Sequence, residues 1–176
     1  FRQYEYTNIR LSGSLKNKTF NGSVNIKDPN IELEFLGRVN LSDSVPEFDF
    51  TANVTEANLY ALNLNKTYPD FLASFYLIAN GSGNSVNSFN GEIKLLNSLF
   101  SKNDQQLQIY DFSIMAGNKD GVNHLQLRSD FVDADLTGNY ELSKGNESLQ
   151  QLLSDYLPSL VDTMVTRKEP LKNNIN

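Results

Sequence analysis

The 176-residue sequence has no cysteine and no tryptophan, one histidine and five prolines. Without cysteine there is no disulfide framework, no thiolate nucleophile and no thiolate metal site, and that absence is neutral on compartment. The lone histidine, His124, sits among alternating residues, where a structural role outweighs catalysis or metal binding. No apolar run reaches the roughly 18 residues that a membrane-spanning helix needs. Basic residues are outnumbered 15 to 21, a net charge of -6, so no basic stripe offers to neutralise nucleic-acid phosphates or an anionic membrane surface. No paired carboxylates and no Ser/His/Asp constellation stand out, so the chain does not read as an enzyme, and no cofactor is expected. Asp28, Asp43, Asp104 and Asp120 fall in turns, where Asp serves local hydrogen bonds. Asp130, Asp133 and Asp135 lack the loop spacing of a Ca²⁺ site, and no metal site is expected.

What the sequence does have is alternation. From Phe20 to Leu41 two runs flank a Lys-Asp-Pro-Asn turn. Phe20, Gly22, Val24 and Ile26 share one face, and Ile31, Leu33, Phe35, Gly37, Val39 and Leu41 share one after the turn. A period of two over this length marks antiparallel strands with a dry and a wet face, joined by a loop of about four residues around Pro29. The same pattern places Leu11, Gly13 and Leu15 on a strand over residues 6–16, and Phe48, Phe50, Ala52 and Val54 on a fourth strand. Residues 58–64 read as either a short strand or a single helical turn. Residues 71–79, apolar at every other position and between, read as a strand covered on both sides. Gly81–Ser88 reads as a flexible loop. Phe89, Gly91, Ile93 and Leu95 form the next strand, followed by a turn over Ser101–Gln106. The parity change between Ile109 and Phe112 predicts a bulge, and Gly117–Gly121 a hairpin turn. Strands over 123–130 and 131–142 follow, the last carrying Val132, Ala134, Leu136, Gly138 and Tyr140. The count is about nine strands with no helix between them, which excludes a parallel sheet. Only after Gly145 does helical spacing appear, in Leu149, Leu152, Leu153, Tyr156, Leu157, Leu160 and Val161.

Five times the chain writes apolar-x-Gly-x-apolar at strand spacing, with Gly13, Gly22, Gly37, Gly91 and Gly138 at the centres. Glycine weakens a strand, so its recurrence on the dry face calls for close packing or curvature, and both favour a strongly curved sheet. An ordinary sandwich core tolerates some of the same pattern. Asn-x-Ser/Thr occurs at Asn17, Asn21, Asn40, Asn53, Asn65, Asn80 and Asn146, as chance supplies in so Asn-rich a chain.

Four blocks in order, FNGSVNIKDPNIELEFLGRVNLS, FDFTANVTEANLYALNL, FNGEIKLLN and LRSDFVDADLTGNYELSKGNESLQQLLSDYLPSL, resemble the TamB family of AsmA-like envelope proteins, in the wording of Bacteroidetes-type bacteria. The resemblance covers roughly residues 5 to 162. It implies a fold that is mainly β, a strongly curved antiparallel sheet forming a U-shaped, taco-like hydrophobic groove, with one C-terminal amphipathic helix. The implied division is a groove segment over 1–145 and a helix with polar tail over 146–176. The groove would be lined by Leu11, Leu15, Phe20, Val24, Ile26, Ile31, Leu33, Phe35, Val39, Leu41, Phe48, Phe50, Val54, Phe89, Ile93, Leu95 and Leu136, with the five glycines beside them. The implied partners are phospholipid acyl chains, an outer-membrane barrel protein of the TamA type and neighbouring segments of the same long chain, with no nucleic acid. The implied place is the periplasm, in a protein anchored to the inner membrane outside this segment. The rival readings are a structural or adhesive β-sandwich and a closed lipocalin-like carrier.

Overall fold

The computed structural model describes residues 4–85 and 88–138. The helix and polar tail expected over 146–176 lie outside the described residues. Within them the chain forms nine strands: β1 Ile9–Lys16, β2 Thr19–Asp28, β3 Ile31–Asn40, β4 Glu47–Asn58, β5 Leu72–Ser82, β6 Asn90–Lys102, β7 Gln105–Lys119, β8 Val122–Ser129 and β9 Ala134–Gly138. They make one antiparallel sheet in the order of the sequence, from β1 to β9. The mainly β, antiparallel expectation therefore holds. The nine strands form neither a second layer, as a sandwich needs, nor a β1–β9 pair, as a closed barrel needs.

Local chemistry sets the turns. Between β1 and β2 the two central residues, Asn17 and Lys18, have φ of 49° and 57°, and between β7 and β8 Asp120 and Gly121 have 55° and 80°. Two positive φ angles in a two-residue loop give the twist that matches right-handed strands, and Asn, Asp and Gly tolerate them best. The β2–β3 loop is shorter than expected: Asp28 and Ile31 still pair, leaving Pro29 and Asn30 as the turn. The carboxylate of Asp28 accepts the Asn30 N–H at 2.9 Å and so makes the tight reversal possible.

Several strand bounds differ from the expectation. β6 runs on through Leu99 and Phe100, so the turn before β7 is only Asn103–Asp104, with Asn103 at φ 51°. Residues 58–64 resolve to the turn alternative: the Asn58 side-chain oxygen accepts the N–H groups of Tyr60 and Ala61 at 3.1 and 3.0 Å. β5 is not covered on both sides, since Tyr76 is exposed while Ala73 and Ala79 are buried. Gly81 and Ser82, assigned by composition to a loop, belong to β5. Phe131 and Val132 lie before β9 and are exposed, held in a turn where the Ser129 hydroxyl donates to the Val132 carbonyl.

Two bulges adjust the face. β4 carries an extra residue around Thr55 and Glu56 relative to both β3 and β5, which returns Ala57 to the face of Val54. The parity change expected in β7 is present, and β6 makes the same change opposite it, with Asn97 at φ 49°. The β6·β7 register therefore runs through unshifted, and the slip is taken up between β5 and β6.

The glycines explain where backbones approach. At Gly13 (φ 143°) and Gly37 (φ 149°) the chain adopts a mirror-image extended conformation that L side chains rarely take. A Cβ added at Gly37 would lie less than 3.0 Å from both the Asp49 carbonyl and the Phe50 Cα, and Gly13 and Gly22 would collide similarly with each other's strands. Gly138 differs: nothing lies within 4 Å of a Cβ there, so crowding does not account for it.

Two measurements test this packing. Gly37→Ala is expected to lower the urea midpoint by an amount equivalent to roughly 2–4 kcal/mol, and Gly138→Ala by clearly less, since only the first adds a backbone collision to the strain. Ser98 is fully buried in β6, and among the described residues its hydroxyl has no hydrogen-bond partner. Ser98→Ala removes an unsatisfied group and should raise the melting temperature by a few degrees, about 1 kcal/mol; a lower one would mean that the hydroxyl is bonded.

Candidate functional site

The register aligns the apolar residues of successive strands into rows running across the sheet. The first row is Leu15, Phe20, Val39, Phe48, Gly81, Gly91, Ala116, Leu125 and Leu136. Two residues further along the strands come Gly13, Gly22, Gly37, Phe50, Ala79, Ile93, Ile114, Leu127 and Ala134. The third row is Leu11, Val24, Phe35, Ala52, Leu77, Leu95 and Phe112, and the fourth Ile9, Ile26, Leu33, Val54 and Phe75. One face is therefore apolar from edge to edge, because each strand keeps its period of two and each pair keeps its register.

Fourteen of the expected lining residues stand in these rows, and three do not. Leu41 lies beyond the end of β3 and is 52% exposed. Ile31 opens β3 opposite Asp28 and Ala57. Phe89 precedes β6, yet its ring stacks on Phe48 at 6.0 Å with an interplanar angle of 2°. That stack continues a line of rings: Phe48–Phe50 at 6.2 Å, Phe50–Phe35 at 4.9 Å and Phe35–Phe20 at 6.1 Å. The line crosses the Gly22–Gly37 pair, so rings cover backbone that the glycines leave bare. Sequence reasoning missed Gly81, which faces Gly91 at equally close range. It also missed Phe75, Leu77, Phe112, Ile114, Leu125 and Leu127 as members of the face. Their signal was present, since each lies at even spacing from a neighbour in its strand.

The two ends of the strands differ. At the end where the β2–β3 and β4–β5 connections lie, Leu62 folds back to 0% exposure against Val54 and Ala57. Tyr4, Tyr6, Ile31, Leu33, Leu59 and Phe75 pack around it, so Ile31, Leu33 and Val54 belong to a closed core and not to an open face. At the opposite end, Phe20, Val39, Phe48 and Phe89 are half-buried and Leu15 is 75% exposed. Among the described residues no second sheet or helix lies over them.

Asp28 fastens the closed end. Its carboxylate accepts hydrogen bonds from the Tyr4 hydroxyl, from the Thr7 N–H at 2.8 Å and hydroxyl at 2.9 Å, and from Asn30. The Tyr4 bond above all, with those backbone donors, holds the Asp28 pKa well below the ordinary carboxylate range, at about 2. The same bond raises the Tyr4 pKa.

The remaining singled-out polar groups serve the sheet. Asp130 accepts the N–H groups of Tyr110 and Asp111, and Asp135 takes Arg128 Nη2 at 2.7 and 2.9 Å. His124 stands on β8 with Nδ1 3.4 Å from the Thr137 hydroxyl. Among the described residues no three His, Cys, Asp or Glu side chains gather as a metal would require. On the polar face a recess of about 510 Å³ is bordered by Ile78, Glu92, Lys94, Leu96, Asp111 and Arg128, among others. Its charges are partly matched, Lys94 to Glu92 at 3.0 Å and Arg128 to Asp135.

A carboxylate with a depressed folded pKa adds stability above its unfolded pKa, near 4, and loses it as the pH falls through the folded value. The wild-type chain is therefore expected to lose stability between about pH 4 and pH 2. Asp28→Ala should be less stable at pH 7 and flatter across that window, as read from urea midpoints. An unchanged pH profile in the variant would show that Asp28 does not hold this end.

Compared with protein-family models, with curated proteins and with solved structures, the chain matches none.

Proposed function

We propose that this chain is a non-enzymatic segment of a TamB-like periplasmic protein, and that its apolar face carries phospholipid acyl chains. The observation that supports the reading is the set of apolar rows running unbroken across a sheet one layer thick. A half-exposed apolar face supports this reading, since large exposed apolar patches mark interaction sites. Exposing a sixteen-carbon chain to water costs on the order of 12 kcal/mol at roughly 0.8 kcal/mol per methylene, so a continuous apolar path offers large relief. Nine strands spaced at about 4.8 Å give a path roughly 40 Å long, enough for one or a few lipids.

The finer shape, a U-shaped groove, is part of the proposal. The glycines at Gly13, Gly22 and Gly37 fall opposite one another, and the backbone there is the mirror-image form at Gly13 and Gly37. A sheet bends most readily along such a line, because no side chains resist the closing of its two halves. Lipid would then move passively along the rows, with no bond made or broken. The resemblance of the sequence adds the setting: anchorage to the inner membrane outside this segment, neighbouring segments continuing the sheet, and an outer-membrane barrel partner of the TamA type. β1 suits continuation, since all eight of its residues are exposed and it has neither proline nor bulge to blunt its edge.

The purified chain is expected to carry phospholipid detectable by mass spectrometry after solvent extraction. Phe35→Asp and Val39→Glu should abolish that occupancy while the far-ultraviolet circular dichroism stays that of the wild type. Lipid-free wild-type protein would overturn the reading, and unfolding of both variants would make those side chains ordinary core.

A further inference from the structure

We infer that the open edge of β1 captures an extended strand of a separate polypeptide, with carboxylates opposite Arg10 and Lys16 and apolar side chains opposite Leu11, Gly13 and Leu15. The strand pairs antiparallel, as every pair of the sheet does. The inference rests on the reading of β1 as an edge open to continuation and adds the chemistry that selects the incoming strand.

The backbone at this edge is unpaired. The Lys27 N–H donates to the Asn8 carbonyl at 3.3 Å, so these two residues are a hydrogen-bonded pair of the β1–β2 ladder. Such pairs alternate along an antiparallel ladder, which assigns Arg10, Ser12, Ser14 and Lys16 to β2. The N–H and C=O groups of Ile9, Leu11, Gly13 and Leu15 therefore point away from β2, and no strand lies beyond them among the described residues. The side chains lack a neighbour on the same side. Leu11 is 67% exposed and Leu15 75%, whereas Val24 and Phe20 opposite them are half-buried. Residues 4–8 do not screen this edge, because the hydrogen bonds of Tyr4 and Thr7 to Asp28 carry them across the β2–β3 turn. The strand beside β1 is thus not its own lead-in, and it arrives in trans.

Charge selects the strand. Ion pairs on the polar face join neighbouring strands: Lys27 to Glu32 between β2 and β3, Arg38 to Glu47 between β3 and β4, and Arg128 to Asp135 between β8 and β9. Arg10 and Lys16 stand on that same face, but opposite them β2 offers only Asn25 and Thr19, with Ser23 and Asn21 between. Neither cation has an ion-pair partner among the described residues, and β1 itself carries no carboxylate. The other lysines without an ion pair, Lys18, Lys66, Lys102 and Lys119, lie in connections or on the inner strands β6 and β7. Only on β1 do unmatched cations and an open ladder coincide. A second copy does not fit, since two β1 strands would bring cations and no carboxylate to the shared polar face. An acidic strand with apolar residues at alternate positions satisfies the ladder, the apolar side and the charges together.

The test uses two labelled, end-blocked nine-residue peptides, Thr-Glu-Val-Thr-Val-Thr-Val-Glu-Thr and the same peptide with Lys in place of both Glu. Binding to the purified chain is read by fluorescence anisotropy. At low salt the acidic peptide should bind about tenfold tighter, against the chain's own net charge of -6, and the difference should shrink at high salt. In Arg10→Glu/Lys16→Glu the preference should reverse. N-methylation of the central Val, whose N–H would face Gly13, should abolish binding, because the ladder needs that donor.

The failures separate. Equal binding of the two peptides, an unchanged preference in the double variant, or undiminished binding of the N-methylated peptide overturns the inference. A dimer of the chain alone in sedimentation, dispersed by the acidic peptide, would put a second copy in this place and overturns it too. None of these outcomes alters the lipid content of the purified chain, so the acyl-chain reading stands or falls on its own measurement.

Discussion

A sheet one layer thick depends on cross-strand register more than on any single contact. In a two-layer sandwich a misaligned side chain still finds neighbours across the core. In this chain each inner strand is held by the two beside it, and a slip of one residue would turn a whole strand's apolar set to the polar side. The rows from Leu15 to Leu136 and from Gly13 to Ala134 survive eight pairings because the ladder is continuous wherever they run. The irregularities fall outside them. β4 bulges beyond Val54, and β6 and β7 change parity together beyond Leu95 and Phe112. Each bulge is placed so that the residues after it return to the apolar face.

That arrangement leaves little fully enclosed volume. Among the described residues the buried apolar ones are Ala52, Val54, Ala57, Leu62, Ala73, Ala79 and Ala116, mostly small, and of these only Leu62 is both large and sealed. The bigger side chains, above all the phenylalanines, are half-buried. Ring contacts at 4.9 to 6.2 Å give them packing without enclosure. The hydrogen-bonded ladder and those partial burials carry the open part of the sheet, while the Leu62 cluster anchors one margin. Glycine contributes by subtraction, admitting the Asp49 and Phe50 backbone to a distance that any side chain at Gly37 would forbid.

Much of this was legible in the sequence, for a physical reason. Period-two alternation is a direct projection of strand geometry, so Phe20 to Val39 announce their face without knowledge of the fold. The places of fourteen residues in the apolar rows followed from parity alone. What was not legible depends on partners distant in sequence. Gly81 lies in a Gly-Ser-Gly run that reads as a loop, and only its pairing with Gly91 makes it a strand residue. Ile31, Leu33 and Val54 carry the same pattern as Phe35, yet Leu62 folds over them and not over it. Asn97 hides a bulge because a left-handed asparagine within a strand has no local mark beyond its identity.

The contrast between the two ends of the strands gives the face its direction. Had Tyr4, Tyr6 and Leu62 been spread over the whole face, the sheet would be an ordinary half-core with no surface left to bind anything. Concentrated at one end, they meet the hydrophobic requirement for folding locally, and the Asp28 carboxylate ties the strand-free residues 4–8 to the β2–β3 turn. The rows further along are thereby released from serving as core.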